Sequence, residues 1–317
     1  MPRFDTSGQV CNSSIFKTAE ENARYVFIAA YSIPGFLMNL RLLWILSVSH
    51  KDFYMAQPFF VLFGCDILLS LLRTPLMLLV NHPINYIPQL CGTLADFYNT
   101  HAFLIHIFHP LILYLKNAKI AVQIVLSVNR MTCVLAPVKH TIFWQTRLRI
   151  VVFAILVYPF FIIWNVIISE KGLVSTFGGF SFEYERAVQW AALSLLTSVS
   201  LLVAVLIISL CSFVTVLRMQ TLQNRLQKTE RHVSVATVWT NFAFFLIAAS
   251  QVYFLFFYGN VESAWRNFFY FLNDISYDVL DFEGVLVILI VPKLRAHFVG
   301  RRVAAARGAV RSMSSSQ

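Results

Sequence analysis

Long apolar runs separated by short polar segments make up most of this chain. A helix needs about 20 mostly apolar residues to cross the hydrocarbon core of a bilayer. Seven stretches meet that requirement, at residues 24–48, 57–80, 103–129, 149–168, 188–217, 233–258 and 267–291. The pattern predicts an all-α membrane protein, a seven-transmembrane helix bundle over residues 24–291 that is flanked by segments 1–23 and 292–317.

The composition excludes most soluble classes of protein. Of the 317 residues, 58% are hydrophobic and only 13% are charged, whereas a soluble domain carries about 25% charged residues. A cytosolic enzyme, a disordered regulator and a nucleic-acid-binding domain are therefore excluded. The net charge of +10 could by itself suggest a polyanionic partner, but the positions of the basic residues favour another explanation.

Lys and Arg concentrate on one side of the predicted spans. The segments after spans 1, 3 and 5, together with the tail, hold 15 of the 25 basic residues, and the opposite side holds 6. Because positively charged loops stay in the cytoplasm, this bias predicts an extracellular N-terminus and a cytoplasmic C-terminus. The tail is basic, and we expect it to be attracted to anionic membrane lipids.

Two features of the predicted outer side agree with this orientation. Asn12 begins an N-glycosylation sequon. Cys11 and Cys91 are the two cysteines predicted outside, where they could form a disulfide or remain free thiols.

Ionisable residues inside the bilayer are costly and usually face the bundle interior. Lys116 and Lys119 share one face of span 3, and span 7 carries Asp274, Asp278 and Asp281 at helical spacing. At about 1.5 Å per residue, the two lysines lie roughly 21 and 16 Å from Arg130, at the level of Asp278 and Asp281.

These depths predict that Lys116 and Lys119 pair with Asp278 and Asp281, because facing opposite charges offset each other's desolvation. Asp66 on span 2 is a third acid at that depth. The network could respond to a ligand, or it could be a static support that fixes helix register.

A ligand entering from outside could meet polar or aromatic residues on the outer halves of the spans. The candidates, each of which could instead serve packing or the interfacial aromatic belt, are Arg73, His106, His109, Tyr253, Tyr258 and Tyr270. His106 and His109 have the spacing of a metal pair, but two histidines alone do not make a site. We expect no metal, no cofactor and no catalytic centre, and hence no enzyme.

The inner end of span 3 carries a recognisable motif. Asn129 and Arg130 are followed by Pro137, seven residues after the arginine. This segment resembles the Asp-Arg-Tyr…Pro segment of rhodopsin-like receptors, with Asn129 in place of the acid. The Asn-Arg form is similar to that of nematode serpentine chemoreceptors, especially those of class gamma and closely related classes. Other matching pieces are Phe53-Tyr54, Cys65-Asp66-Ile67 and Pro292-Lys293-Leu294-Arg295.

The resemblance implies a multi-pass plasma-membrane receptor that binds an external small chemical and signals to a heterotrimeric G protein. Arg130 would then hold an inner contact that breaks on activation, or it would be a plain membrane anchor. Because residue 129 is not an acid, Glu230 or Asp52 would have to supply the partner of Arg130.

Two other classes remain open. A transporter or ion-conducting protein could use the same buried Lys and Asp residues as a proton relay. A structural or chaperoning membrane protein would need no ligand.

Overall fold

The computed structural model describes Cys11 and residues 18–176, 178–188, 190–220, 224–257 and 263–299. Most of these residues are helical. The helices are α1 (Thr18–Trp44), α2 (Lys51–Tyr54), α3 (Pro58–Leu76), α4 (His82–Tyr86), α5 (Cys91–Thr100), α6 (Ala102–Leu135), α7 (Pro137–Ile168), α8 (Leu193–Gln220), α9 (Asn224–Phe257), α10 (Ser263–Asp281), α11 (Glu283–Ile290) and α12 (Pro292–Phe298). Two π-helical turns, Ile45–Ser49 and Met77–Asn81, extend α1 and α3.

Within the described residues, five helical stretches are long and apolar enough to cross a membrane. They are Thr18–Ser49, Pro58–Tyr86, Ala102–Leu135, Pro137–Ile168 and Leu193–Arg218. Large apolar side chains on their outer faces, such as Leu206 and Phe161, are 70% exposed. An apolar surface of this kind requires lipid as its solvent.

The expectation of an all-α fold is wrong in one place. Residues Lys171–Thr176 (β1) and Gly179–Tyr184 (β2) pair antiparallel, with Thr176 opposite Gly179. The two-residue connection between these strands contains Gly178, and glycine is favoured in tight hairpin turns. We call this end of the bundle the hairpin end, and the opposite end the Arg130 end.

The fifth predicted span begins too early. The prediction placed its start at residue 188, whereas α8 begins at Leu193. Asn165 of α7 is the reason, because its side-chain amide donates to the carbonyls of Val188 (2.9 Å) and Ala191 (2.7 Å). Its side-chain oxygen accepts from the Val188 N–H. Side-chain bonds to the backbone thus replace the first turn that the apolar sequence predicted.

Helix α6 is the centre of the bundle and packs against α3, α7 and α8. One apolar cluster joins α1, α3, α6, α7 and α11 towards the Arg130 end, around Leu46, Leu62 and Leu126. A second joins α6 to α8, α9 and α10 around Phe244. Side chains that α6 directs between these clusters are consequently shielded from both lipid and water.

The hairpin end has its own small core. Phe180 and Phe182 of β2 pack against Tyr98 of α5. A disulfide joins Cys11 to Cys91, the first residue of α5, and so answers the question that the sequence left open. The aromatic core holds the hairpin over the end of the bundle, and the disulfide ties Cys11 to α5 beside it.

We predict that Gly179→Ala destabilises the hairpin end. A Cβ at residue 179 would collide with the backbone carbonyl of Ile84, and backbone cannot move aside as a flexible side chain can. Overpacking of this kind costs about 2 kcal/mol, so the melting temperature of the purified protein should fall. Gly92→Ala is the matched control, because a Cβ there meets nothing within 4 Å. Equal melting temperatures for the two variants would contradict this account of the hairpin.

Candidate functional site

The site is built around Lys119, which is completely buried at the centre of α6. Its Nζ lies 3.1 Å from Asp66 Oδ2 on α3 and 3.1 Å from Asp281 Oδ1 on α10. It also donates a hydrogen bond to Ser70 Oγ. A buried ammonium group requires partners of this kind, since its charge has no water around it. The structure thus places Lys119 between Asp281, the acid that the sequence analysis expected, and Asp66.

Arg73 belongs to this centre and not to a ligand pocket. The side chain is 1% exposed, and its Nε and Nη2 donate to Asp281 Oδ2 at 2.8 and 2.6 Å. Nη2 also donates to Asp278, whose other oxygen accepts from Tyr31 Oη at 2.6 Å. The earlier assignment of Arg73 as a ligand-contacting residue is therefore wrong, because two carboxylates already engage its guanidinium.

Lys116 has a different partner from the predicted one. Its Nζ lies 3.1 Å from Asp274 Oδ1 and 5.0 Å from the centre of the Tyr277 ring. Asp278 is bound by Arg73 instead. The depth argument missed this pairing because it did not include Arg73, which approaches the acids of α10 from α3.

Towards the Arg130 end the network continues through a glutamine. Gln123 Nε2 donates to Asp66 Oδ1 at 3.0 Å and also to Glu283 Oε2. Arg130 Nη2 donates to Glu283 Oε1 at 3.0 Å, and its guanidinium lies over the Phe59 ring. The acid that meets Arg130 is therefore Glu283, which is fully buried.

The acids that the sequence analysis suggested for Arg130 were Asp52 and Glu230. Asp52 is exposed on α2, and the Glu230 side chain lies outside the described part of the structure. Asn129 Nδ2 lies 3.2 Å from His140 Nε2 of α7. Pro137 is the first residue of α7, a position that suits proline because no helical N–H is needed there. Asn129 and Pro137 therefore fix the α6–α7 junction beside Arg130.

We call the connected set of side chains the buried network. Its members are Lys116, Asp274, Asp278, Arg73, Asp281, Lys119, Asp66, Gln123, Glu283 and Arg130. The Lys116–Asp274 pair adjoins the other members at the Tyr277 ring, whose centre lies 5.0 Å from Lys116 Nζ and 5.9 Å from Arg73 Cζ. From Asp278 to Arg130 every step is a hydrogen bond or an ion pair. On α6 this part extends from residue 119 to residue 130, about 16 Å along the axis.

A cavity of about 370 Å³ lies between the buried network and the hairpin. The Lys116–Asp274 pair forms part of its wall, and both side chains retain slight exposure. Around them are amide, hydroxyl and aromatic side chains, including Asn81, Asn85, His109, Asn117, Phe182, Tyr184, Thr197, Gln251, Phe254, Tyr270, Asn273 and Tyr277. Burial raises the pKa of Tyr184 on β2, so its hydroxyl is neutral at physiological pH.

Two polar atoms of the cavity wall lack a hydrogen-bond partner among the described residues. They are His109 Nε2 and Asn117 Oδ1, both on α6. Asn117 is 2% exposed, and its Nδ2 is already bonded to the Leu113 carbonyl. A buried polar atom without a partner is costly, so a molecule that bonded to either atom in this cavity would relieve that cost.

The remaining predicted ligand residues divide between the cavity and other places. Tyr270 lines the cavity, as His109 does. His106 is exposed near Lys171 of the hairpin. Tyr253 stacks on Phe269, with ring centres 3.7 Å apart, and does not line the cavity. Tyr258 and the sequon residue Asn12 lie outside the described residues.

Sequence reasoning missed Glu283, Tyr31 and Asn39. Glu283 follows Asp281 by two positions, so a regular helix would place it on the opposite face from the acidic stripe. Tyr31 and Asn39 lie in the apolar run of the first predicted span, seven and fifteen residues after its start. A polar residue within a long apolar stretch was the only available signal for them.

A bundle of apolar helices with buried ion pairs and a cavity at one end defines a multi-pass membrane protein. Comparison with known proteins specifies the family. A sequence model described as Srg family chemoreceptor matches residues 25–298. Three similar proteins of Caenorhabditis elegans are serpentine receptors class gamma-5, gamma-4 and gamma-2, which are 36%, 35% and 31% identical to this chain. The alignments cover 88%, 90% and 92% of this chain and 86%, 90% and 88% of the relatives.

The chain therefore belongs to the Srg family of chemoreceptors, which are serpentine receptors of the membrane. The predicted resemblance to class gamma is confirmed. A chemoreceptor family is a family of receptors and not of enzymes.

The corrected pairing predicts the result of a charge exchange. Lys116→Asp and Asp274→Lys should each reduce folded protein, because each places like charges together in a buried site at a cost of about 3 kcal/mol. The double variant should recover much of that loss. Folded yield and melting temperature in detergent would measure both effects.

The matched control is the pair that the sequence alone suggested. Lys116→Asp combined with Asp278→Lys should not recover, since the new lysine would face Arg73. Recovery of this control and not of the first pair would show that Asp274 is not the partner of Lys116.

Proposed function

We propose that this protein is a seven-span chemosensory receptor of the plasma membrane that binds a small external chemical and signals to a cytoplasmic heterotrimeric G protein. Helices α9 and α10–α11 would supply the sixth and seventh spans. The observation that supports this proposal is a series of contacts between the cavity wall and Arg130. Lys116 of the wall and Arg73 both lie over the Tyr277 ring, and hydrogen bonds and ion pairs continue from Arg73 to Arg130. Membership in a chemoreceptor family supports the same function.

The proposed orientation places the hairpin end outside the cell. Disulfides persist in oxidising compartments, and Cys11–Cys91 lies at this end. The sequon residue Asn12 is adjacent to it in sequence. The excess of Lys and Arg in the segments at the Arg130 end and in the tail supports a cytoplasmic location for that end.

The ligand would occupy the cavity beneath the hairpin. Its volume of about 370 Å³ suits a small molecule. His109 Nε2 and Asn117 Oδ1 offer hydrogen bonds that no described residue takes. Tyr270 and Phe254 supply aromatic surface beside them. A molecule with an apolar body and hydrogen-bonding groups matches this wall.

Signalling would follow from exchange of partners within the buried network. A ligand beside Lys116 and Asp274 alters the environment of the first ion pair. Two packings of a bundle can be close in free energy, and a ligand selects the packing that it binds better. At the other end, separation of Arg130 from Glu283 would free the guanidinium and open a surface for the G protein.

We expect Glu283→Gln to raise basal nucleotide exchange on a G protein severalfold. The substitution keeps the shape of the side chain but removes the charge that holds Arg130. Exchange of labelled nucleotide by purified receptor and G protein would measure it. Asp52→Asn is the control, an acid-to-amide change at an exposed residue, and should leave basal exchange unchanged. Equal exchange in Glu283→Gln and the parent would argue against the Arg130 contact as a switch.

A ligand screen with the same exchange assay tests the receptor function directly. For any active compound, His109→Ala and Asn117→Ala should each weaken potency by about tenfold, the equivalent of one buried hydrogen bond. Gly92→Ala, outside the cavity, should not change potency.

The same screen distinguishes the rival function. Several buried ionisable groups within one bundle also suit a proton relay. Compound-dependent proton or substrate flux in proteoliposomes, without nucleotide exchange, would show that the protein is a transporter and not a receptor.

A further inference from the structure

The acidic face of α10 ends at an interruption of the helix. Helix α10 ends at Asp281 and α11 begins at Glu283, with Phe282 in a turn between them. In a regular helix, two consecutive steps rotate a side chain by about 200°, so Asp281 and Glu283 would point in opposite directions. Both nevertheless contact α6, Asp281 through Lys119 and Glu283 through Arg130. The interruption therefore lies between two acids that both face α6.

A side chain of α1 accounts for the interruption. Asn39 is 3% exposed, and its Nδ2 donates to the Asp281 carbonyl at 3.0 Å. That carbonyl would otherwise accept from the backbone N–H four residues later. Side chains that insert into the helical hydrogen-bond pattern are a recognised cause of local breaks.

The packing around Asn39 is close on both sides of the turn. A Cβ at Gly284 would collide with the Asn39 side-chain oxygen, so residue 284 needs to be glycine for α1 to approach. A Cβ at Gly35, one turn earlier on α1, would lie 3.0 Å from Phe282 Cζ. Helix α1 is thus fitted to the interrupted form of the last helix.

We propose that Asn39 is a positioning residue for the contact between Arg130 and Glu283. Its amide occupies the Asp281 carbonyl and keeps the helix interrupted, which presents Glu283 to Arg130 and Gln123. Without that hydrogen bond the segment closes towards a regular helix, Glu283 turns away and Arg130 loses its acid. The effect of Asn39 on signalling rests on the proposed receptor function, whereas its effect on the contact does not.

A double-mutant cycle on the purified full chain tests this coupling. The variants are Asn39→Leu, which has a similar shape but no donor, Glu283→Gln, and the two combined. Glu283→Gln should lower the melting temperature of the parent protein but have little further effect in the Asn39→Leu background. Basal nucleotide exchange should rise severalfold in each single variant and no higher in the double. If Asn39 only stabilised the fold, its substitution would not raise basal nucleotide exchange.

Two further variants keep the test decisive. If Asn39→Leu does not fold, Gly284→Ala takes its place in the cycle, because its Cβ displaces the Asn39 side chain from the turn. Ser32→Ala, a buried polar residue two turns earlier on α1, is the control and should be additive with Glu283→Gln.

The outcomes separate the two proposals. Additive melting temperatures for Asn39→Leu and Glu283→Gln would overturn the positioning role, even if Glu283→Gln raises exchange and the receptor function stands. Non-additive melting temperatures would support the positioning role, and if no variant then changed nucleotide exchange, the receptor function alone would fail.

Discussion

The ammonium group of Lys119 lies in the interior of a bundle whose outer surface is apolar, where no water can solvate it. Such a charge is tolerated only with carboxylates at contact distance and with its remaining hydrogen-bonding capacity satisfied. Asp66 and Asp281 provide the charge, and Ser70 accepts a further hydrogen bond. These contacts fix α3, α6 and α10 relative to one another, because no shift of one helix preserves both ion pairs. The positions of Arg73 and Gln123 follow from the same centre.

Buried charge has a second consequence. Five carboxylates and four cations share the buried network of the described residues. The outer pairs, Lys116–Asp274 and Arg130–Glu283, each consist of one cation and one carboxylate. In the centre, Arg73 and Lys119 serve Asp66, Asp278 and Asp281 together, so these three acids compete for two cations. A change of partner at either outer pair therefore alters the electrostatics of the other members, and no member can be treated as isolated.

The cavity and the buried network depend on different parts of the chain. The cavity owes its cover to the hairpin, which Gly179 allows to approach α4 closely and which packs on Tyr98 of α5 through Phe180 and Phe182. The network owes its form to α6 and to the interrupted helix α10–α11. Lys116 and Asp274 belong to both. This shared pair explains how a membrane receptor of this family could connect events beneath the hairpin with Arg130.

The helices and most of the charged residues could be predicted from the sequence, because both depend on local pattern. An apolar run of bilayer length forms a helix whatever its neighbours are, and Lys119, Asp278 and Asp281 stand out within such runs. The family could be anticipated from the motif around Arg130. The hairpin was missed because its strands are short and lie in a segment treated as a connection between spans.

The pairings could be decided only by the tertiary structure. Depth along an axis matched Lys116 and Lys119 to Asp278 and Asp281, whereas in the structure Arg73 enters from another helix and binds Asp278, and Lys116 pairs with Asp274. Regular helical geometry would turn Glu283 away from the face of Asp281, and the structure shows a turn at Phe282 between the two acids, where Asn39 bonds to the Asp281 carbonyl. Sequence determines which charges enter the membrane, since each residue carries its own charge. Helix rotation and local breaks, which arise only when helices pack, determine which charges meet.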